Sequence, residues 1–554
     1  MTDLSCLPYS VGHDAEGVCL QVHMGPHRIL LDCGLIGESS LGWANEAQAP
    51  ADWVLCSHAH ADHARGLLAF HRQFPQVPIY GSEVTAHLLP LNWPDQPLAE
   101  VDFCHALPWR TPIEVAEGLS IQLWPAGHLP GAAAFLLSYA TAQRTYTLFY
   151  TGDFFLSNSR LVEGMPLDDL RGLKPDVLIL EGSYGAVRYP HRRQQENQLA
   201  TRINQFLAAN YAVLLPVPTV GLGQELLMLL RSHHHFTGRN INIWVDAAIA
   251  AGCDAYLELL PHFPSSVQNF ARYQPLFWDE RVLPRVRRLA SDERPDFSVP
   301  SIVLAHHRSD LNRYWQQRDR RWITFVPETA PWETLKANTA VTPAAELTPA
   351  RSSPRIEPYL LSSHCDRAGT TQLIHNLRPQ HVVFVHGSTS QLTELTNLEE
   401  LQSRYQLHLP STGSLVELPI GEMFLQPAAP EIVHEGEITE TADEITITLP
   451  PSIAEDARWL QLADTGLVEA RWQGEDLVLK GISQQSLLQR GAESQPQFTL
   501  DCCATCTYFK EQHCWNQASP LFRFKVSPEG YCPAFEPAAE GSIEGSDRAP
   551  KPAP

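Results

Sequence analysis

The 554-residue chain carries 40 Lys and Arg against 62 Asp and Glu, a net charge of −22, with 44% hydrophobic and 18% charged residues. This composition excludes a disordered chain, and the length predicts about two to four domains. No stretch reaches the roughly 18 to 20 apolar residues of a membrane helix, and no leader pattern opens the chain, so we expect a cytoplasmic protein without membrane association. The acidic charge is unusual for a nucleic-acid binder, whose affinity normally depends on neutralising phosphates.

Short apolar runs, each followed at once by polar or acidic residues, predict strands at residues 28–32, 53–56, 145–150 and 177–180. Ends of such strands are natural positions for ligands. Helices predicted at 192–210, 224–231 and 248–260 then alternate with strands at 212–217, 242–245 and 301–305, which indicates a parallel-sheet domain. Residues 332–358 are predicted to form a long loop, and strands return at 359–361 and 381–385.

One segment has the density of ligands that a two-metal hydrolase needs. His58, His60, Asp62 and His63 place four candidate ligands in six residues, directly after the strand at 53–56. Alternate residues of such a loop can point to one ion and the next pair to a second. This spacing predicts a two-metal site, with zinc as the expected metal.

Three further segments, one before the histidine segment and two after it, stand in the order in which a known family has its motifs. They are Leu31-Asp32-Cys33-Gly34, Pro125-Ala126-Gly127-His128-Leu129-Pro130-Gly131-Ala132 and Tyr150-Thr151-Gly152-Asp153. Together with the His-x-His-x-Asp-His segment they resemble the motifs of the metallo-β-lactamase-fold hydrolases. The resemblance implies that Asp32 braces the histidine loop, that His128 joins the first metal and that Asp153 bridges both ions.

Later segments narrow the resemblance to the β-CASP branch, which contains ribonuclease J enzymes and the endonuclease of the cleavage and polyadenylation complex. These segments are Leu180-Glu181-Gly182-Ser183-Tyr184-Gly185, Ser362-Ser363-His364-Cys365-Asp366 and Phe384-Val385-His386-Gly387. The long segment between Tyr184 and His364 matches the inserted cap domain of that branch. The resemblance covers about residues 1 to 425 and implies an α/β fold, a metallo-β-lactamase αββα sandwich with an inserted β-CASP parallel-sheet cap domain.

The resemblance also implies a set of roles. The first zinc is expected on His58, His60 and His128, and the second on Asp62, His63 and His386, with Asp62 counted among the catalytic residues as well. Glu181 is expected to support His364, which protonates the leaving 3′ oxygen or contacts the phosphate. Members that act on RNA carry His at the last motif where DNA-repair members usually carry Val, so His386 favours RNA.

Two cap segments depart from the family pattern. Gly221-Leu222-Gly223-Gln224-Glu225 stands where relatives commonly show Gly-Arg-x-Gln-Glu, and His306-His307-Arg308-Ser309 replaces an expected Ser-Gly-Met element. Basic candidates for a phosphate path, for which solvated helix faces are the alternative, are Arg188, His191, Arg192, Arg193, Arg285, Arg287 and Arg288. The departures leave every implied metal ligand in place and bear on substrate binding.

The C-terminal region contains five of the twelve cysteines. Cys503, Cys506, Cys514 and Cys532 could hold one tetrahedral ion, a third zinc, or an iron-sulfur cluster, with disulfides and free thiols as alternatives. Residues 426–480 carry twelve acids against three bases, a net charge of −9. This acidic and Cys-rich region is therefore predicted to form small modules and is a candidate for binding a protein partner.

We predict metallo-β-lactamase residues 1–190 and 356–426, a β-CASP cap at 191–355, a linker with a small acidic region at 427–500, a Cys-rich module at 501–536 and a disordered tail at 537–554. The predicted activity is metal-dependent cleavage of single-stranded RNA, endonucleolytic or 5′-to-3′ exonucleolytic. Hydrolysis of another ester or thioester, and a regulatory or scaffold role, are alternatives. A homodimer is left open.

Overall fold

The computed structural model describes residues 4–13, 16–35, 48–290, 295–316, 321–328, 355–421, 437–440, 445–448, 468–473, 476–481, 506–510 and 513–516. The chain divides into two compact units, Met1–Pro430 and Glu431–Pro554. No helix among these residues is long and apolar enough to span a membrane.

The first unit contains two seven-stranded sheets. The strands and helices of the first sheet, in chain order, are β1 (Leu4–Val11), β2 (Val18–Met24), β3 (His27–Leu31), β4 (Trp53–Leu55), α1 (Ala61–Ala64), α2 (Leu67–Gln73), β5 (Ile79–Gly81), α3 (Glu83–Leu88), α4 (Leu98–Val101) and β6 (Cys104–Ala106). Those of the second sheet begin with β7 (Ile113–Ala116), β8 (Leu119–Pro125), β9 (Ala133–Ala140), β10 (Thr145–Tyr150), α5 (Leu167–Leu170) and β11 (Val177–Glu181).

A third sheet is inserted between β11 and the return of the chain to the second sheet. Its elements are α6 (Arg192–Ala208), β12 (Tyr211–Val217), α7 (Leu222–Ser232), β13 (Asn242–Asp246), α8 (Ala247–Glu258), α9 (Ser265–Tyr273), β14 (Arg285–Leu289), β15 (Ser301–His306), α10 (Asn312–Trp315), β16 (Arg321–Pro327) and β17 (Arg355–Tyr359). The six strands lie in the order β14-β13-β15-β12-β16-β17 and pair in parallel throughout.

The chain then completes the first two sheets. The returning elements are α11 (Arg367–Leu377), β18 (His381–Val385), α12 (Thr389–Thr396), α13 (Glu399–Gln402), β19 (Gln406–His408) and β20 (Val416–Glu417). The sheet orders are β20-β1-β2-β3-β4-β5-β6 and β19-β18-β11-β10-β9-β8-β7. β11 and β18 are therefore parallel neighbours although the whole third sheet separates them in sequence.

Successive residues of the central strands pack alternately into two cores, one between the two sheets and one between a sheet and its outer helices. In β3, Ile29 and Leu31 face the core between the sheets, whereas Leu30 packs into a second core with α2. Val177 and Ile179 of β11 likewise face inward, and neighbouring residues of that strand pack outward. Strands buried on both faces are continuous apolar runs, which is how they read in the sequence. The predicted αββα sandwich with a parallel-sheet cap is confirmed.

One predicted strand is displaced. We expected a strand at residues 359–361 and a loop up to residue 358, but β17 runs from Arg355 to Tyr359. This strand lies at the edge of the cap sheet, where Pro358 is tolerated because its missing N–H removes no bond to a further strand. Residues 329–354 of the predicted loop lie outside the described residues.

The second unit shows three two-stranded antiparallel pairs among its described residues. They are β21 (Glu437–Glu440) with β22 (Ile445–Thr448), β23 (Val468–Gln473) with β24 (Asp476–Gly481), and β25 (Phe509–Lys510) with β26 (His513–Cys514). The predicted disordered tail at 537–554 lies outside the described residues. The domain boundaries listed above stay predictions.

Candidate metal centre

The candidate ligands lie where strands of the two stacked sheets end. His58 follows β4, His128 follows β8, Asp153 follows β10 and His386 follows β18, each within three residues of the last residue of its strand. Because β10, β11 and β18 are parallel, their carboxyl ends meet at one edge of the sheet. The chain thus brings residues that are far apart in sequence to a single place, as Asp62 and His386 show, which are 324 residues apart and 3.4 Å from each other.

Two groups of ligand atoms form there. In the first group, His58, His60, His128 and Asp153 have one potential ligand atom each, all within 4.8 Å of one another. In the second group, Asp62, His63 and His386 meet the same limit. The two groups contain the seven residues that the resemblance implied as ligands, with Asp153 in the first group, and the structure brings these residues together.

Asp153 lies between the two groups. Its Oδ2 is 3.5 Å from His58 Nε2 and 3.6 Å from His128 Nε2, while its Oδ1 is 3.2 Å from His63 Nε2 and 3.6 Å from His386 Nδ1. One oxygen therefore faces each group, which is the arrangement that a bridging carboxylate requires.

Unpartnered buried atoms show that a cation fits this place. Among the described residues, His58 Nε2 is buried without a hydrogen-bond partner, and His63 Nε2 and Asp153 Oδ1, although 3.2 Å apart, are also buried without one. Leaving such atoms unsatisfied is costly, and an ion coordinated by them removes the cost. Imidazole nitrogens and carboxylate oxygens are a donor set that zinc accepts.

The electrostatics of the histidines also suit metal binding. Burial lowers the pKa of His58, His60 and His128, so these rings are neutral, the form that binds metal. Burial also acts to lower the pKa of His63, but the carboxylates of Asp153 and Asp32 outweigh it and raise that pKa well above its usual value. A metal ion that bound His63 would therefore displace a proton from this ring.

Asp32, which the resemblance implied as a brace for the histidine loop, is hydrogen-bonded to that loop. Its carboxylate accepts hydrogen bonds from Ser57 N at 2.6 Å, Ser57 Oγ at 2.7 Å and Tyr150 OH at 2.6 Å. It also lies 2.7 Å from His63 Nδ1, which leaves Nε2 of that ring facing Asp153. Asp32 adopts a left-handed backbone conformation with φ of 57°.

Replacing Asp32 by asparagine is expected to lower zinc affinity about 10- to 100-fold, because the amide nitrogen cannot accept the bonds that orient His63 and Ser57. Competition against a chromophoric chelator measures the affinity. Tyr150→Phe, which removes one donor to Asp32 and keeps the ring, is the matched control and should have the smaller effect. Wild-type affinity in the Asp32→Asn variant would show that the brace does not act on the metal.

His364 and Glu181 form a second functional pair beside the ligands. His364 Nδ1 is 2.9 Å from Glu181 Oε1 and 3.9 Å from Asp153 Oδ2. Glu181 is buried at the end of β11 and also accepts hydrogen bonds from Phe154 N and Ser183 N. Burial acts to lower the pKa of His364, but Glu181 and Asp153 outweigh it and raise that pKa to about 9.

Three site residues were not predicted as such from the sequence. Ser57 and Tyr150 hydrogen-bond Asp32, and Ser183 Oγ lies 2.7 Å from His386 Nδ1 while it donates to Glu181. Ser183 thus connects Glu181, the partner of His364, to His386 of the second group. Tyr150 and Ser183 lie inside quoted motifs and Ser57 directly precedes His58, but hydroxyl groups in such segments carry no signal of their own.

The cap contacts the first ligand group directly. His60 Nε2 is 3.3 Å from the carbonyl oxygen of Val220, in the turn that begins α7. Gly221 follows with φ of 90°, and a Cβ there would lie 3.2 Å from His60 Nε2. The turn that departs from the family pattern therefore lies against the metal centre, and it requires a glycine at this position.

Three of the basic candidates for a phosphate path are held in ion pairs. Arg192, a candidate for the phosphate path, is buried and pairs with Glu225 at 3.0 Å, so it fastens the cap instead. Arg287 and Arg288 pair with Glu280 and Asp254.

Of the four predicted cysteine ligands, Cys503 and Cys532 lie outside the described residues. The backbone carbonyl oxygen of Cys506 accepts a hydrogen bond from Phe509 N, and Cys514 lies on β26; neither forms a disulfide with another described cysteine. The C-terminal zinc or iron-sulfur site stays a prediction.

The paired ligand groups at strand ends of two stacked sheets define a metallo-hydrolase. A family model described as Beta-lactamase superfamily domain matches residues 27–194, and one described as Zn-dependent metallo-hydrolase RNA specificity domain matches residues 351–410. The chain belongs to the metallo-β-lactamase-fold hydrolases, in their β-CASP branch.

Individual relatives span different shares of the chain. An uncharacterized protein of Synechocystis sp. is 49% identical over 550 residues, 97% of both chains. Probable RNase MJ4 of Methanocaldococcus jannaschii is 30% identical over 239 residues, which are 39% of this chain and 54% of that protein. Endoribonuclease YSH1 of Mycosarcoma maydis is 27% identical over 330 residues, 56% of this chain and 35% of that protein.

Proposed function

We propose that the protein is a zinc-dependent ribonuclease that hydrolyses phosphodiester bonds in single-stranded RNA. The observation that carries the proposal is the position of Asp153, which faces both ligand groups and lies 3.9 Å from His364. A two-metal site with a proton donor beside it is suited to hydrolysis of a phosphodiester.

Each of the two ligand groups would hold one zinc ion. One zinc would be held by His58, His60 and His128 and the other by Asp62, His63 and His386, with Asp153 shared between them. When bound, zinc supplies Lewis acidity, which lowers the pKa of water and stabilises negative charge on a phosphate.

His364 is the proposed proton donor. A departing 3′ alkoxide is a poor leaving group, so a positioned acid accelerates its departure. Glu181 holds Nδ1 of the ring at 2.9 Å, which leaves Nε2 as the atom that can give a proton to the substrate. The carboxylates of Glu181 and Asp153 outweigh the effect of burial and raise the pKa of His364, so the ring carries its proton near neutral pH.

RNA is favoured over DNA and other esters by the comparisons. The model that matches residues 351–410, a range that contains His364 and His386, describes an RNA specificity domain. Two of the relatives are named as an RNase and an endoribonuclease. His386, which the resemblance associates with RNA, lies 3.4 Å from Asp62 in the second ligand group.

Zinc-loaded protein incubated with single-stranded RNA and DNA of matched sequence, labelled at either end, tests the proposal. We expect the RNA to be cleaved and the DNA to be a poor substrate, and the product lengths distinguish internal from end-directed cleavage. The Asp62→Ala/His63→Ala double variant should be inactive, which excludes a contaminating nuclease. Intact RNA with every tested metal, or full activity of the double variant, would contradict the proposal.

A further inference from the structure

A glutamine of helix α6 holds the segment that carries His364. Gln195 lies on α6 and is buried, with 2% of its surface exposed. Its Oε1 accepts a hydrogen bond from Ser362 N at 2.7 Å, and its Nε2 donates to Ser362 Oγ at 2.9 Å. Nε2 also donates to Pro190 O at 2.6 Å, two residues before α6 begins. One side chain therefore joins the chain that enters α6 to the chain that leads to His364.

The orientation of the Gln195 amide is fixed by its partners. A backbone N–H only donates and a backbone carbonyl oxygen only accepts, so Ser362 N faces the amide oxygen and Pro190 O faces the amide nitrogen. Both N–H groups and the oxygen of the amide are then engaged. A glutamate in this place would lack the two donors, and a methionine would lack the donors and the acceptor.

Arg192 holds the other side of the same serine. Its Nη1 donates to Ser362 O, while its Nη2 bonds Glu225 Oε2 on α7 at 3.0 Å. The N–H, the hydroxyl and the carbonyl oxygen of Ser362 are thus all bonded to side chains of α6, and Ser362 is itself buried. Breaking any of these bonds would leave a buried polar group without a partner, so together they restrain Ser362 to one position.

The next residue of the segment is anchored on the metal centre. Ser363 O accepts a hydrogen bond from His128 Nδ1 at 2.8 Å, and Nε2 of that ring lies 3.6 Å from Asp153 Oδ2. His364 follows directly, with Nδ1 2.9 Å from Glu181 Oε1. His364 therefore lies two residues from the bonds to α6 and one residue from the bond to a candidate metal ligand. A displacement at the α6 end would move its ring relative to the metal centre.

We propose that Gln195 is a positioning residue for His364: by holding Ser362, it keeps the imidazole where it can give a proton to the leaving oxygen of RNA. This inference rests on the proposed ribonuclease function, because the proton transfer belongs to that reaction. Gln195 is buried and acts through Ser362. A misplacement of about 1 Å at a catalytic group can lower a rate about 100-fold, so bonds made outside the site are sufficient to control the step.

A double-mutant cycle of Gln195→Met with His364→Ala, assayed on RNA at saturating zinc, tests the proposal. Methionine keeps the length of the side chain and removes all three hydrogen bonds. We expect Gln195→Met to lower kcat about 10- to 100-fold and to change KM less than about 2-fold, since the buried side chain is not available to bind RNA. In the His364→Ala background, the same substitution should lower kcat less than about 3-fold, because the group that it positions is already absent.

The leaving group gives a second readout. Bis(p-nitrophenyl) phosphate, a small diester, has a leaving group that is stable as an anion, so Gln195→Met should lose much less on it than on RNA. Ser362→Ala removes only the hydroxyl and keeps the bonds of the backbone N–H and carbonyl oxygen, so its loss on RNA should be smaller than that of Gln195→Met. Thermal unfolding shows whether the variants are folded, and Ser362→Ala takes the place of Gln195→Met in the cycle if the latter is not.

Gln268→Met is the matched control. Gln268, on α9, also donates through Nε2 to backbone carbonyl oxygens, Pro261 O at 3.0 Å and Phe263 O at 2.8 Å, in the turn that precedes its own helix. Its substitution should leave kcat unchanged on both substrates. Equal losses from Gln195→Met in both backgrounds, equal losses on both substrates, or no loss would overturn the positioning role. Wild-type protein that cleaves no RNA would overturn the ribonuclease function and this role with it, whereas RNA cleavage that needs His364 but not Gln195 would overturn this role alone.

Discussion

His364→Ala is expected to lower kcat on RNA by about 10²- to 10⁴-fold, the range that a positioned general acid contributes, while the zinc content stays at the wild-type level. The physical reason is that His364 is hydrogen-bonded to Glu181 and belongs to neither of the two ligand groups. Its loss removes the proton for the 3′ oxygen without removing a metal ligand.

The leaving group separates this role from a structural one. Bis(p-nitrophenyl) phosphate releases p-nitrophenolate, which needs no protonation, so His364→Ala should lose much less on this substrate than on RNA. Single-turnover rates on both substrates, with zinc measured by atomic absorption, provide the comparison. His375→Ala, on the adjacent α11 and bonded to Tyr405, is the control. Equal losses on both substrates would reject the proton-donor role.

Asp153→Asn is expected to abolish hydrolysis of RNA and of the small diester alike, with losses on the order of 10³-fold or more. The substitution replaces a carboxylate that lies within 3.6 Å of histidines from both ligand groups by a neutral amide. The bound zinc content should fall as well, because the shared anion no longer offsets the charge of two adjacent cations.

Zinc content and rate are measured on the same preparation, with thermal unfolding to confirm a folded protein. Asp168→Asn is the matched control, since Asp168 is an exposed carboxylate on α5 whose side chain is 86% accessible. A variant at Asp153 that keeps both zinc ions and the wild-type rate would show that the carboxylate does not bridge them.

The sequence was most informative where function depends on strand ends. Strands buried on both faces are apolar runs, so individual strands and the parallel sheet of the cap could be predicted from the residues. The αββα sandwich was implied by the resemblance, through motifs that contain Asp153 and His386. His58 to His63 lie in one loop, so their proximity needs no knowledge of distant contacts. The other three residues of the two groups, His128, Asp153 and His386, are brought to that loop by strands whose carboxyl ends meet at one edge of the second sheet.

Features set by distant packing were not predictable. The buried pair of Arg192 and Glu225 is 33 residues apart in sequence, and Arg192 stands among other basic residues that look like a solvated helix face. Tyr150 reads as a core residue at the end of β10, and only the folded chain shows that its hydroxyl reaches Asp32. The contact of the Val220 turn with His60 likewise depends on how the cap closes over the site.

Two residues of the site have a strained backbone conformation. Asp32 and His386 are non-glycine residues with φ of 57° and 52°, a conformation that costs on the order of 1 to 3 kcal/mol at each position. Glycine would relieve that strain at either position. At Asp32, however, glycine would also leave the buried donors of Ser57 and Tyr150 without their acceptor, so the hydrogen bonds of the carboxylate are what keep the strained backbone in place.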